Sequence, residues 1–243
     1  MRSYSVNVSL GEPPTRRAAR DIAYSQLRQL IIERELKPGA TITEKELAAV
    51  VGMSRTPLRE GIKALETQGF VTRLANGRLM VTPLTVRELE DLFGVRAAIE
   101  RLIVKSVASS ATDGDIQTVL SPFVSAIRRS LDSYMPEARL YGESFHYGLT
   151  QLCQNRLASN ILWELRDRIA RYRKIGPDRC PERRTQAARE HLRIYELIAA
   201  HEAEEAARAM EEHIQHSLEV ALRFLPDDIA LENATGRAVE VSQ

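Results

Sequence analysis

Residues 41–73 read TITEKELAAVVGMSRTPLREGIKALETQGFVTR, and the order of caps, apolar positions and turns in this stretch decides the fold. Thr43 precedes Glu46 by three residues, the capping-box spacing in which hydroxyl and carboxylate each satisfy an orphan amide at a helix start. Leu47, Ala48 and Val51 give that helix an apolar stripe, and Gly52 ends it. Ser54 then caps a second helix, with Pro57 in its first turn, where a missing N–H costs little. Leu58, Ile62 and Leu65 carry it to Gln68, and Gly69 closes it. Two short helices across a tight glycine turn, the second one basic, predict a helix-turn-helix.

The flanks fit that unit. Upstream, Ile22, Ala23, Leu27, Leu30 and Ile31 recur at helical spacing, predicting a helix over 18–33 that Leu36-Lys37-Pro38-Gly39 stops. Downstream, Phe70–Leu74 and Leu79–Thr82 are β-like runs around Asn76-Gly77, a hairpin signal because both residues tolerate positive φ. Residues 1–17 show no hydrophobic period and read as a flexible arm, and Pro83 marks a boundary. From there the spacing predicts helices over 85–110, 113–133, 136–153, 157–174, 181–201 and 202–224, with breaks at Asp113-Gly114, Pro122, Pro136, Asn155 and Gly176-Pro177. The fold class is mainly α: a winged helix-turn-helix over 18–83, an all-helical antiparallel bundle over 84–225, and a polar tail over 226–243.

Of the 243 residues, 44% are hydrophobic, enough to give both parts a core. Residues 1–85 hold 13 Lys and Arg against 8 Asp and Glu, a balance of +5, whereas the remainder holds 21 against 25, or −4. A basic front and an acidic back point to a polyanionic partner for the front alone. Neither a membrane span nor a secretory signal is legible, and Cys153 and Cys180 stand outside any metal or redox spacing. The expectation is a cytoplasmic protein with two free thiols and no membrane partner.

The second helix of the unit opens Ser54-Arg55-Thr56-Pro57-Leu58-Arg59, so Arg55 and Arg59 share a face near its N-terminus. In helix-turn-helix units that end enters the major groove, where arginine forks onto guanine. Ser54 and Thr56 stand ready for phosphates, Lys45 for the DNA backbone, and the tip Asn76-Gly77-Arg78 for the minor groove. The same charges are open to a plainer reading, as a solvated surface. Five histidines, His146, His191, His201, His213 and His216, all lie in the helical part, each open between a core or surface imidazole and a ligand.

The stretch quoted first resembles the winged-helix signature of the GntR regulators: an acidic-Leu-Ala helix, then Ser-Arg-Thr-Pro-Leu-Arg-Glu, then Leu-Glu-x-x-Gly-Phe-Val. The match spans residues 20–82 and implies that Lys45, Arg55 and Arg59 occupy the family's DNA-contact positions. Gly61 stands where the family usually has alanine, at a cost of about 1 kcal/mol in helix propensity. Residues 85–225 more loosely resemble the FCD effector domain of the FadR branch, through Asp91-Leu92-Phe93-Gly94-Val95-Arg96 with Glu100, Ser144-Phe145-His146, Asn155, Glu190-His191 and Glu212-His213. That resemblance implies a divalent metal, zinc or nickel, held by His146, His191 and His213 at the floor of a ligand cavity. The family's aspartate ligand falls at Gly142, which has no side chain to offer, and Glu143 is turned about 100° away. Arg96 resembles the cavity arginine, whose fork matches a carboxylate, although Glu100 one turn on is an equally apt internal partner. Asn155 and Arg184 are further effector candidates.

The function expected is that of a homodimeric regulator that binds operator DNA. Its affinity is set by a small carboxylate or sugar acid, the family's commoner behaviour being repression relieved by a catabolic substrate. Two other classes are compatible with parts of the sequence: a dimeric DNA binder without a ligand, and a zinc enzyme. The latter lacks HExxH or any comparable hydrolytic pattern.

Overall fold

The computed structural model describes residues 16–132, 138–173 and 180–225, so the arm up to residue 15, the breaks at Pro136 and Gly176-Pro177, and the tail over 226–243 lie outside the described residues. The chain divides into two compact units, Met1–Pro83 and Leu84–Gln243. Among the described residues there are nine helices and one small sheet.

The first unit comprises α1 (Arg16–Ile32), β1 (Thr41–Ile42), α2 (Glu44–Val51), α3 (Arg55–Thr67), β2 (Val71–Arg73) and β3 (Leu79–Val81). Arg16 and Arg17, read as the end of an arm, belong instead to the first turn of α1. The Thr43–Glu46 capping box forms as expected, and Gly52 closes α2 at φ 65°. Ser54 occupies the N-cap of α3, but its hydroxyl makes no capping bond. Leu27, Ile31, Leu58, Ile62 and Leu65 pack with Phe70, Leu79 and Val81 into the core of this unit. A Cβ on Gly61 would stand 2.9 Å from the Tyr24 backbone nitrogen and 3.1 Å from the Ala23 Cβ. The glycine is therefore how α3 lies against α1 at near-backbone distance, a role that outweighs its poor helix propensity.

The three strands run antiparallel in the order β1-β3-β2. β1 was not expected. Two residues carry no alternation, and they become a strand only by pairing Thr41 with Met80 and Ile42 with Leu79. The hairpin between β2 and β3 differs in detail from the sequence reading. Only Gly77 takes positive φ, at 79°, while Asn76 turns its Oδ1 back to accept the Arg78 amide at 3.0 Å. Leu74 and Arg78 close a three-residue loop around it, the arrangement of a type I turn with a glycine bulge.

The second unit holds α4 (Val86–Ser110), α5 (Asp113–Asp132), α6 (Ala138–Leu152), α7 (Arg156–Arg173), α8 (Pro181–Ala199) and α9 (Ala203–Arg223). α4 runs against α9 and α7, and α5 against α6 and α8. Their apolar stripes meet in a core that includes Phe93, Val104, Leu120, Phe145, Tyr172, Ile194 and Met210. Pro122, read as a break, lies inside α5 instead. Burial of Leu120, Val124 and Ile127 on either side holds the helix through it, against a propensity cost of about 3 kcal/mol. Among the described residues, no helix is long and apolar enough to cross a membrane.

Candidate nucleic-acid interface and metal centre

In the first unit, α2, α3 and the hairpin tip enclose one surface groove lined by Thr43, Glu44, Lys45, Arg55, Arg59 and Gly77. The structure thus brings together Lys45, Arg55, Arg59 and Gly77, which the sequence placed in three separate elements. Ser54, Arg55, Thr56 and Arg59 are all exposed at the start of α3. Arg78 is engaged differently from the other cations: its guanidinium donates to the Thr41 carbonyl at 3.1 Å, which ties the wing to β1. Asn76 and Gly77 remain exposed at the tip.

Glu44, to which the sequence alone assigns no role, is the anionic centre of this face. Its carboxylate accepts from Arg59 Nε at 2.8 Å and from Arg73 Nη1 at 3.1 Å, while Arg73 Nε reaches Glu66 at 3.0 Å. The hydrogen bond from Arg59, with help from Arg73, holds the Glu44 carboxyl below its ordinary range. Arg73 is a cation of this face that helix periodicity had no means of placing, because it sits on a strand whose register depends on the sheet.

The second site lies within the second unit. Each helix contributes residues a turn apart, which puts them on a common face: Arg96 and Glu100 on α4, Gly142 and His146 on α6, Arg183, Ala187 and His191 on α8, His213 and Ser217 on α9. His146, His191 and His213 are buried and each offers a nitrogen, all within 4.8 Å of one another. His146 Nε2 and His191 Nε2 are 3.0 Å apart, and the His191 and His213 ring centroids 4.4 Å. The three line one cavity together with Arg96, Arg173, Arg183 and Arg184. Among the described residues, no carboxylate lines it.

Carboxylates stand behind the cavity wall. Glu100 accepts from Arg96 Nε at 2.6 Å and, through its other oxygen, from His146 Nδ1. A carboxylate that accepts at Nδ1 fixes the proton there, so His146 Nε2 keeps its lone pair toward the other histidines. Burial pushes the Glu100 carboxyl up, but His146 and Arg96 outweigh it and hold it at about 2. Glu190 does the same service at the opposite end, accepting from His213 Nδ1 and His216 Nδ1 at 2.7 Å each and from Arg183 Nη2 at 2.8 Å. Burial, reinforced by the neighbouring histidines and arginines, holds His191 and His213 well below their ordinary value.

Three neutral, buried imidazoles with converging nitrogens, two of them backed by carboxylates, are a donor set that fits a divalent metal of zinc type. Gly142 touches His191 and brings no ligand; Glu143 turns away to Arg173 at 3.5 Å. Of the effector candidates, Arg96 and Arg184 line the cavity, but Asn155 does not. Its side chain accepts from the Ala158 amide at 3.1 Å and so caps α7, the reason an Asn stands there. Sequence reasoning missed Arg173 and Arg183. The available signal for Arg183 was its spacing from Ala187 and His191 along one helical face. His201 belongs to another place, on Asp113 and the Ala108 carbonyl at 2.8 Å each.

Residues 91–216 match the family model described as the FCD domain, and residues 19–81 the one described as bacterial regulatory proteins, gntR family. The Nta operon transcriptional regulator of Aminobacter aminovorans is 32% identical over 196 residues, covering 81% of this chain and 91% of that protein. The HTH-type transcriptional repressor RspR of Escherichia coli is 26% identical over 198 residues, covering 79% and 84% respectively. Among solved structures, E. coli McbR/YncC has the same fold, with a TM-score of 0.69 at 17% identity, over 84% of this chain and 97% of that one.

Proposed function

We propose a mechanism from the premise that this chain belongs to the GntR family of bacterial regulatory proteins and carries an FCD domain, which makes it a DNA-binding transcriptional regulator and not an enzyme. It acts in the cytoplasm as a homodimer that represses by holding an operator, and a small organic or sugar acid in the helical cavity releases it. The observation that carries this reading is the lining of that cavity among the described residues: four arginines, three histidines and no carboxylate, with Glu100 and Glu190 set behind Arg96, His146, Arg183 and His213. A cavity lined in this way favours an anionic ligand over a neutral or cationic one.

On the DNA side, Arg55 and Arg59 read base edges from the major groove, while Lys45, Ser54 and Thr56 hold phosphates and Asn76, Gly77 and Arg78 form the wing. Arg59 exchanges its bond to Glu44 for a base, so the free protein keeps this arginine oriented without committing it. On the sensing side, His146, His191 and His213 would hold a divalent metal, which would supply a Lewis-acidic point for an acid group. Arg96 and Arg184 position the rest of the acid from the walls.

The coupling is linkage: an acid that binds one arrangement of the dimer better than another shifts the spacing of the two α3 helices away from the half-sites. A thermal-shift screen of carboxylic and sugar acids, followed by operator titration with each hit, tests this. One acid that both raises the melting temperature and lowers operator affinity supports it. Hits that stabilise without touching operator affinity contradict it.

A further inference from the structure

We propose that the molecule sensed in the cavity carries two acid groups, one for the histidine cluster and one for the unpaired Nε and Nη1 of Arg183. The proposal rests on the cavity being the effector site and names the chemical class that fits it.

Arg183 is only 2% exposed, yet its donors are used unequally. Nη2 is clamped: it donates to the His213 carbonyl at 3.1 Å and the Ser217 hydroxyl at 2.8 Å, and it meets Glu190 at 2.8 Å. Nε and Nη1 are buried and have no acceptor among the described residues. A guanidinium cannot shed its proton to escape this, so the donors remain charged and unmet. Because Nη2 is held from three sides, the remaining donors are pre-oriented, and a ligand oxyanion gains them without ordering the side chain. Arg96 is a contrasting case, its Nε already spent on Glu100.

The histidine end asks for a second anion. Among the described residues the histidine cluster has no carboxylate ligand, since Gly142 offers none, so a metal held by three neutral imidazoles would keep its charge without an anionic ligand. The two centres are close, since Arg183 Nη2 lies 3.3 Å from His213 Nδ1, on the far side of one imidazole ring. A short diacid spans them, whereas a monoacid satisfies one and leaves the other bare.

The test is calorimetric titration of the zinc-loaded full chain with matched pairs: succinate against butyrate, and glutarate against valerate. A third probe, 3-phosphonopropionate, distinguishes a second carboxylate from a phosphoryl group. Diacids are expected to bind at least about tenfold tighter than their monoacid partners, with tighter binding of either diacid type supporting the proposal. In Arg183→Lys, which keeps the charge and loses the fork, that ratio falls to about twofold while monoacid binding persists. Equal binding of mono- and diacids to the wild type overturns the two-anion proposal and leaves acid sensing intact. No binding by any probe overturns acid sensing and this proposal together. The wild-type series decides even if the variant does not fold.

Discussion

Gly142 and His191 are in contact: a Cβ on Gly142 would stand 2.9 Å from His191 Cε1 and 3.3 Å from its Nδ1. The position whose side chain would have been an anionic ligand is instead the surface against which a ligand histidine rests. Two substitutions separate these effects. Gly142→Ala pushes the His191 ring aside and is expected to weaken zinc binding by about tenfold. Gly142→Asp meets the same contact but adds a carboxylate, so it binds zinc more tightly than Gly142→Ala by at least about tenfold. Competition titration against a fluorescent chelator measures both. Equal affinities for Ala and Asp place position 142 outside the metal's reach.

Arg96 and Glu100 form a buried pair 2.6 Å apart, with side chains 6% and 2% exposed. Removing one partner strands the other, so Arg96→Met is expected to cost about 3–5 kcal/mol of stability. Adding Glu100→Gln, which still accepts from His146, recovers most of that loss. Chemical denaturation of the single and double variants checks this. Loss of ligand response in Arg96→Met alone therefore needs the double variant beside it before it is assigned to contact with the acid.

The metal-free protein loses stability as pH falls. The unfolded chain takes up protons on His191 and His213 near their ordinary value of about 6.5. Burial holds both well below that in the folded state. Protons therefore favour the unfolded chain, and the contribution is intact above about pH 6.5 and declines below it. Glu100, held at about 2, adds a loss in the same direction at lower pH. Melting temperatures of chelator-treated protein between pH 8 and pH 5 are expected to fall steadily. A flat or rising profile contradicts neutral burial of these imidazoles.

The recognition helix is tested by Arg55→Ala with Arg59→Ala, both exposed and neither part of the unit's core. The pair is expected to abolish selectivity for the operator over random duplex, each base contact being worth about 1–3 kcal/mol. Lys45→Ala lowers affinity for both duplexes alike and reduces the salt slope by about 1. Fluorescence anisotropy at two salt concentrations reads all of these. Retained selectivity in the double variant contradicts the placement of α3 in the groove.

Much of the first unit was legible because its signals are local. The Thr43–Glu46 box and the Gly52 stop lie within one turn of what they control. Gly61 was legible only as a cost, since its purpose is the approach of Tyr24, far away along the chain. β1 was illegible for the same reason, having no pattern apart from its pairing with β3. In the second unit the three histidines were placed by resemblance and then found together, whereas periodicity alone gave each only a helix face. Asn155 caps α7, and in sequence a cap and a cavity amide look alike. Arg183 was missed because its distinction lies in which donors find acceptors, and that is a property of α8 and α9 packed together.

Reciprocal linkage is the most direct test that acid in the cavity governs grip on DNA. Operator affinity is measured with and without a saturating acid from the screen, and acid affinity with and without operator. The expected result is that the acid weakens operator binding by at least about fivefold and that operator weakens acid binding by the same factor. An acid that binds tightly while both ratios stay at one contradicts the link between the two units.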